Sequence, residues 1–221
     1  MNFKELLYLS ECGKNFWKKI NRNIKNNCVY LYIPKINELL STLNSSQSKI
    51  LKSNYKGIKK TNQLSDKLSE ILVAYEFIKE QPIFFDDNMG KPDIWLKRKD
   101  EYIEVKRLNC SDIQREVLEK INNNGGVDIK KTKFNSMVVK KMNGGLSNKA
   151  KYHIDKAIKQ LSKTSEHGII YFIYSIDIIF CPHSNREVAE EKFIESAKEY
   201  FKLKKNNNIS FRMMNETKLF R

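Results

Sequence analysis

Two acids and a lysine stand out in the stretch "GKPDIWLKRKDEYIEVKRLN", residues 90–109. Asp93 follows Pro92, and after ten intervening residues come Glu104, Val105 and Lys106. An antiparallel hairpin turning through "RKDE" would set position 97 opposite 102, 95 opposite 104 and 93 opposite 106. Side chains directly opposed share a face. One face then carries Asp93, Trp95, Lys97, Tyr102, Glu104 and Lys106, and the other Ile94, Leu96, Ile103 and Val105. An odd-length loop would mix the two sets unless a bulge restored them, so the clean separation itself supports the pairing. Two carboxylates on one patch repel each other, and a hard divalent cation held by oxygens removes that cost. Mg²⁺ so placed lowers the pKa of a bound water and neutralises charge developing on a phosphate; a neighbouring ammonium can orient the water or stabilise that charge. The plain alternative is a wet surface hairpin whose cross-strand Lys–Glu pairs contribute at most about 1 kcal/mol.

The surrounding pattern must hold these residues in place. Leu64, Leu68, Ile71, Leu72, Tyr75 and Ile78 form one stripe, which predicts a helix from Ser65, as N-cap, to Lys79. "PIFFDD" reads as a strand, a Gly-Lys-Pro turn follows, and strands are expected at 93–97 and 102–108. A helix near 111–121 ends in "NNNGG" and leads to a polar, lysine-rich loop with a second glycine pair, Gly144 and Gly145. Helix 147–163 and the strand "GIIYFIYSI" come next, the latter apolar enough for a sheet covered on both faces. A last helix, "REVAEEKFIESAKEYFKLKK", and an edge strand, "ISFRMM", complete an α/β pattern. Ahead of it, residues 3–25 read as an amphipathic helix around Gly13; a short β-type run, Pro34, a short helix and a Ser-rich loop at 41–49 follow.

With these elements in order, the sequence resembles the PD-(D/E)XK, or restriction-endonuclease-like, nuclease superfamily. The resemblance lies in Pro92-Asp93 and Glu104-Val105-Lys106, in the acid-bearing helix "LSEILVAYEFIKE" ahead of them, and in "DKAIKQLSKTSEHGIIYFI" behind. It covers roughly residues 65–175. It implies a restriction-endonuclease-like core, a central mixed β-sheet flanked by helices, over 61–221, with 1–60 as a basic, mostly helical N-terminal extension. It further implies that Asp93 and Glu104 bind Mg²⁺, or Mn²⁺ in its place, with the Val105 carbonyl as a further ligand, and that Lys106 positions or activates the water. Glu70 would be the helix acid. On a helical wheel Glu70 and Glu76 flank the apolar stripe alike, and the family's pattern favours Glu70. Lys156 and Gln160, one turn apart, would face the site or a phosphate; the alternative for both is a solvated helix face.

Composition sets the partners. The 221 residues carry 41 Lys plus Arg against 26 Asp plus Glu, a net charge of +15, which attracts polyanions. A genome rich in A and T yields the same crowd of Lys, Asn and Ile whatever the function. Residues 1–60 hold 12 basic side chains against three Glu, so +9 of the charge lies there; this preface could hold DNA, make a homodimer or cap the core. Between 127 and 163, ten lysines face two aspartates, a phosphate-tracking surface next to the presumed metal site. Cys12, Cys28, Cys110 and Cys181 form no CxxC pair, and "CPH" at 181–183 is a poor metal site. The N-terminus lacks a signal-peptide core and no apolar run spans a bilayer, so a reduced, cytoplasmic chain is expected. The expectation is a Mg²⁺-dependent endonuclease acting on DNA. Its rivals are an RNA-cleaving nuclease or toxin, a nucleic-acid-binding protein of the same fold without activity, and a dimeric junction resolvase.

Overall fold

The computed structural model describes residues 1–22, 32–108, 136–164, 167–174 and 186–215. The helix expected near 111–121 and the Cys181–His183 triplet lie outside them. Strand β4, Gly168–Tyr174, is buried at every position, as its unbroken apolar run requires. It is flanked in parallel by β3, Glu101–Leu108, and by the edge strand β5, Ile209–Asn215. Beyond β3 the pairing turns antiparallel through β2, Ile94–Leu96, to β1, Pro82–Phe84. The result is a five-stranded mixed sheet in the order β1-β2-β3-β4-β5.

Alternation along the strands divides the core in two. Ile94, Leu96, Ile103, Val105, Ile169, Tyr171 and Ile173 face one cluster. It includes Phe3, Leu6 and Leu7 of α1 (Phe3–Leu7), Ile36 and Leu39 of α3 (Ile33–Thr42), and Leu64, Ile71 and Ala74 of α5 (Thr61–Glu76). Leu108, Ile170, Phe172 and Tyr174 face the other, against Ala150, Ile154 and Leu161 of α6 (Ser136–Leu161) and Phe193 and Ala197 of α7 (Arg186–Leu203). The sheet is thus an α/β layer covered on both sides, and the N-terminal helices belong to its core. No helix among the described residues is long and apolar enough to cross a membrane.

The hairpin register differs from expectation by two residues. Ile94 pairs with Ile103, Trp95 with Tyr102 and Leu96 with Glu101, because residues 97–100 form the turn and Asp100 takes a left-handed φ of 51°. An even slip preserves the two faces. Its consequence is that Asp93 comes level with Glu104 rather than with Lys106.

Other boundaries moved for local reasons. The expected helix 3–25 is split into α1 and α2 (Glu11–Arg22). A Cβ on Gly13 would sit 2.1 Å from the Leu7 carbonyl oxygen, so only glycine lets the two helices meet this closely. The Ser-rich stretch is no loop: Asn44 accepts from the Gln47 N–H at 2.9 Å and caps α4, Ser45–Lys56. Helix α5 starts at Thr61 rather than Ser65, since the Gln63 side chain takes the N–H groups of Lys59 and Lys60, and the Ser65 hydroxyl donates back to the Thr61 carbonyl. Helix α6 runs straight through Gly144 and Gly145, where a loop was expected. Gln47 also clamps the free edge of β1, accepting from the Phe84 N–H at 2.7 Å and donating to its carbonyl at 3.2 Å.

Candidate active site

Strands β2 and β3 pair over three positions only, and before Ile94 the chain leaves the sheet. At that fork the Val105 N–H donates to Asp93 Oδ2 at 2.8 Å, which fixes the Asp93 carboxylate where the hairpin opens. A cleft of about 470 Å³ lies there. Asp93, Val105 and Lys106 line it from the hairpin, Lys67 and Glu70 from α5, and Lys156 from α6. The N-terminal helix α4 closes another side with Ser53 and Asn54, so the basic preface contributes to the cleft wall as well as to the core.

Glu104 lies beneath the wall rather than on it. It is 0% exposed; its Oε1 accepts a hydrogen bond from the Lys106 ammonium, and its Oε2 has no partner. Two residues apart on one strand, Glu104 and Lys106 share a face, as expected from the alternation. Glu70 is 9% exposed and receives Lys67 Nζ on both carboxylate oxygens at 2.9 Å. Lys67 also donates to Asp87, so one ammonium joins α5 to the loop ahead of β2.

The electrostatics of the cleft point one way. Burial raises the Glu104 carboxyl to about 8, helped by the charge of Asp93 and opposed by Lys106 and by the Asp93 backbone N–H. Burial likewise raises Glu70, with Asp93 adding and Lys67 opposing, and raises Asp93 against the pull of Lys106, Lys67 and the Val105 N–H. Burial alone would lower the Lys106 ammonium, yet Asp93, Glu104 and Glu70 together raise it. Lys67 is raised in the same way, its burial outweighed by Glu70, Asp87 and Asp93. The carboxyls are raised first by burial and then by one another's charge, and the ammoniums are raised by the carboxylates, so an added positive charge beside the acids would relieve their repulsion.

A divalent cation would supply that charge. The donors are hard carboxylate oxygens, and a buried orphan oxygen on Glu104 faces an added cost until something positive meets it. Among the described residues no three Asp, Glu, His or Cys side chains stand together as a metal set, because Lys67 and Lys106 are interleaved with the acids. Mg²⁺ commonly takes only one or two protein carboxylates and completes its octahedron with water and phosphate oxygens. Asp93 and Glu104 would supply those two.

The other expected residues divide. Glu70 lines the cleft, whereas Glu76 sits at the far end of α5 and accepts from the Tyr171 hydroxyl. Lys156 is exposed at the rim. Gln160 does not reach the cleft; its Nε2 donates to the Lys91 carbonyl at 2.8 Å and pins the loop entering β2. Four residues escaped sequence reasoning. Lys67 was within reach, being three positions from Glu70 on one helix face. Asp87 comes from a loop with no periodic signal. Asp66 lines the cleft beside Lys67, its carboxyl raised by burial against Arg107, Lys106 and Lys67. His153 lines it from α6, one turn from Lys156, with Nδ1 buried and unpartnered; burial, then Lys106, Lys149 and Lys156, lower its pKa to about 4, so the imidazole is neutral at neutral pH. Comparisons of the chain with protein-family models, curated proteins and solved structures give no match.

Proposed function

We propose that this protein is a divalent-metal-dependent nuclease with a restriction-endonuclease-like core, hydrolysing phosphodiester bonds in DNA. One observation carries the reading: a wholly buried carboxylate, Glu104, keeps an unpartnered oxygen beside Asp93 at the fork of β2 and β3, with Lys106 two residues on. Asp93 and Glu104 would hold Mg²⁺ or Mn²⁺, with the Val105 carbonyl as a further donor. A bound ion of this kind supplies an acidified water and neutralises charge on the phosphate.

The chain's own groups then take definite parts. Lys106 is held protonated by its acidic neighbours, so it acts as a hydrogen-bond donor that orients the water and stabilises phosphate charge, not as the base. Glu70 steadies the cleft from α5 through Lys67. Lys156 at the rim meets a non-bridging phosphate oxygen, and the +15 net charge draws the polyanion toward the cleft.

Incubation of DNA with Mg²⁺ and the intact chain, Asp93→Ala or Lys106→Ala tests this. Each variant should lower the cleavage rate by about 10³-fold or more, with DNA binding in chelator within a few-fold of the intact chain. Equal cleavage by both variants and the intact chain would sink the reading. Binding without cleavage by the intact chain, in Mg²⁺ or Mn²⁺, would favour a nucleic-acid-binding protein whose lysines permanently neutralise its acids; cleavage of RNA alone would move the substrate.

A further inference from the structure

The sheet face that carries Asp93 and Glu104 also carries three rings. Trp95 stands two residues from Asp93, Tyr102 two residues from Glu104, and Phe85 one step past the end of the β1–β2 ladder. Alternate residues of a strand lie about 7 Å apart on one face, so the rings continue the row of acids. Tyr102 is stacked on Phe85 with ring centres 6.1 Å apart and on Trp95 at 6.2 Å, the planes inclined by only 16° and 22°. All three are half-buried. Helix α6 packs chiefly on β3 and β4, with no comparable packing on β1 or β2. Lys91 ends the row, its ammonium 4.9 Å from the Phe85 ring centre, in the loop that Gln160 pins.

We propose that Phe85, Tyr102 and Trp95 form a base-stacking platform for single-stranded nucleic acid, on which the nucleotides next to the scissile phosphate lie while Lys91 meets the backbone. This rests on the reading of the cleft as a nuclease centre. Nearly parallel rings with centres more than 6 Å apart overlap only toward their edges, which leaves ring face for a base to stack on without its identity being read. Bases inside a duplex are already stacked and paired and cannot turn onto such a surface, whereas unpaired bases can. The substrate this selects is a single strand or the unpaired part of a branched one. The lysine beside the rings supplies the charge that a phosphate backbone needs.

The chain has two tryptophans, so emission titrations of the intact protein and of Trp95→Phe isolate the Trp95 signal. The probes are a twelve-nucleotide oligothymidylate, the matching oligouridylate and a DNA duplex of equal length, all in EDTA. Oligothymidylate should quench the intact chain and leave Trp95→Phe unquenched. Trp95→Ala should weaken single-strand binding about tenfold, and Trp95→Phe, which keeps a ring, by no more than about threefold; duplex binding should be indifferent to both. Quenching by oligouridylate as well would extend the platform to either backbone. Unchanged Trp95 emission with the single strands, or a duplex as sensitive to Trp95→Ala as they are, would overturn the proposal. Because no metal is present, failure here is separable from failure of the nuclease reading: Mg²⁺-dependent cleavage without quenching removes the platform alone, and quenching without cleavage removes the nuclease alone.

Discussion

Two buried glutamates serve the same face of the sheet, and they are held in opposite ways. Glu190 of α7, 8% exposed, accepts from the Tyr174 hydroxyl and from Asn215 Nδ2 on one oxygen. Its donors are neutral, and they come from the ends of β4 and β5. Glu104, 0% exposed, has an ammonium on one oxygen, no hydrogen-bond partner on the other, and Asp93 level with it just ahead of the neighbouring strand. Burial is common to both and distinguishes nothing. The difference lies in what the surroundings leave unmet: Glu190 ties two strands to a helix, while Glu104 is buried with one oxygen unmet, a cost that a proton or, on the proposed reading, a cation removes.

The largest effect should come from exchanging these roles. Glu104→Gln keeps the volume and mimics the protonated carboxyl that burial favours below about pH 8, so Mg²⁺-dependent cleavage should fall about 10³-fold while the metal-free protein at neutral pH melts at about the same temperature. Glu190→Ala should do the reverse, leaving the cleavage rate intact and, by stranding the tyrosine hydroxyl and the asparagine amide, costing about 2–3 kcal/mol of stability in denaturant titrations. Destabilisation by Glu104→Gln with cleavage retained would erase the contrast. Next in size is the response to the ion. Mg²⁺ or Mn²⁺ at about a hundred times its dissociation constant should stabilise the intact chain by about 2.7 kcal/mol in a melt, and Asp93→Asn or Glu104→Gln should remove that gain. An equal gain in all three proteins would place the ion elsewhere.

The faces of the hairpin were legible in the sequence because period-two alternation depends only on parity, and a two-residue slip leaves parity untouched. The opposition of Asp93 and Glu104 was not legible, since it depends on a turn that uses Asp100 in a left-handed conformation. Wheel geometry could not choose between Glu70 and Glu76; the choice rests on which end of α5 meets the fork of the sheet, a tertiary fact. The Ser-rich stretch misled because serine is common both in loops and at helix starts, and Asn44 made it the latter. Gln160 was expected to face the site or a phosphate; its reach to the Lys91 carbonyl instead depends on the position of a loop that no periodicity gives.

A smaller effect follows from pH. In the metal-free fold the Glu104 carboxyl sits at about 8 against 4.5 ordinarily, so between these values the folded state binds more protons than the unfolded chain. Stability therefore falls as pH rises through that window. His153, lowered to about 4 from 6.5, works in the opposite sense, but only below its ordinary value. From pH 6.5 to 8 the decline remains, and it should amount to about 1–2 kcal/mol in melts without metal. Glu70 and Asp93 are raised in the same direction, chiefly by burial. Glu104→Gln should flatten most of this slope, and saturating Mg²⁺ should reverse it. Unpaired burial of Glu104 is refuted if the metal-free intact chain is as stable at pH 8 as at pH 6.5.

The smallest effect separates the two ends of one helix. Glu70 and Glu76 flank the same stripe of α5, but Glu70 shares Lys67 with Asp87 at the cleft, and Glu76 meets only the neutral Tyr171 hydroxyl, near the Arg212 charge. Removing the Glu70 charge leaves Lys67 without its two-oxygen partner and loosens the loop that carries Asp87, so Glu70→Gln should lower cleavage about 10- to 100-fold. Glu76→Gln keeps an oxygen for the tyrosine hydroxyl and is exposed to water. Its stability should change by less than about 1 kcal/mol, and its cleavage rate should match the intact chain within about twofold. A Glu76→Gln protein as impaired in cleavage as Glu70→Gln would mean that the whole helix, rather than its cleft end, sets the chemistry.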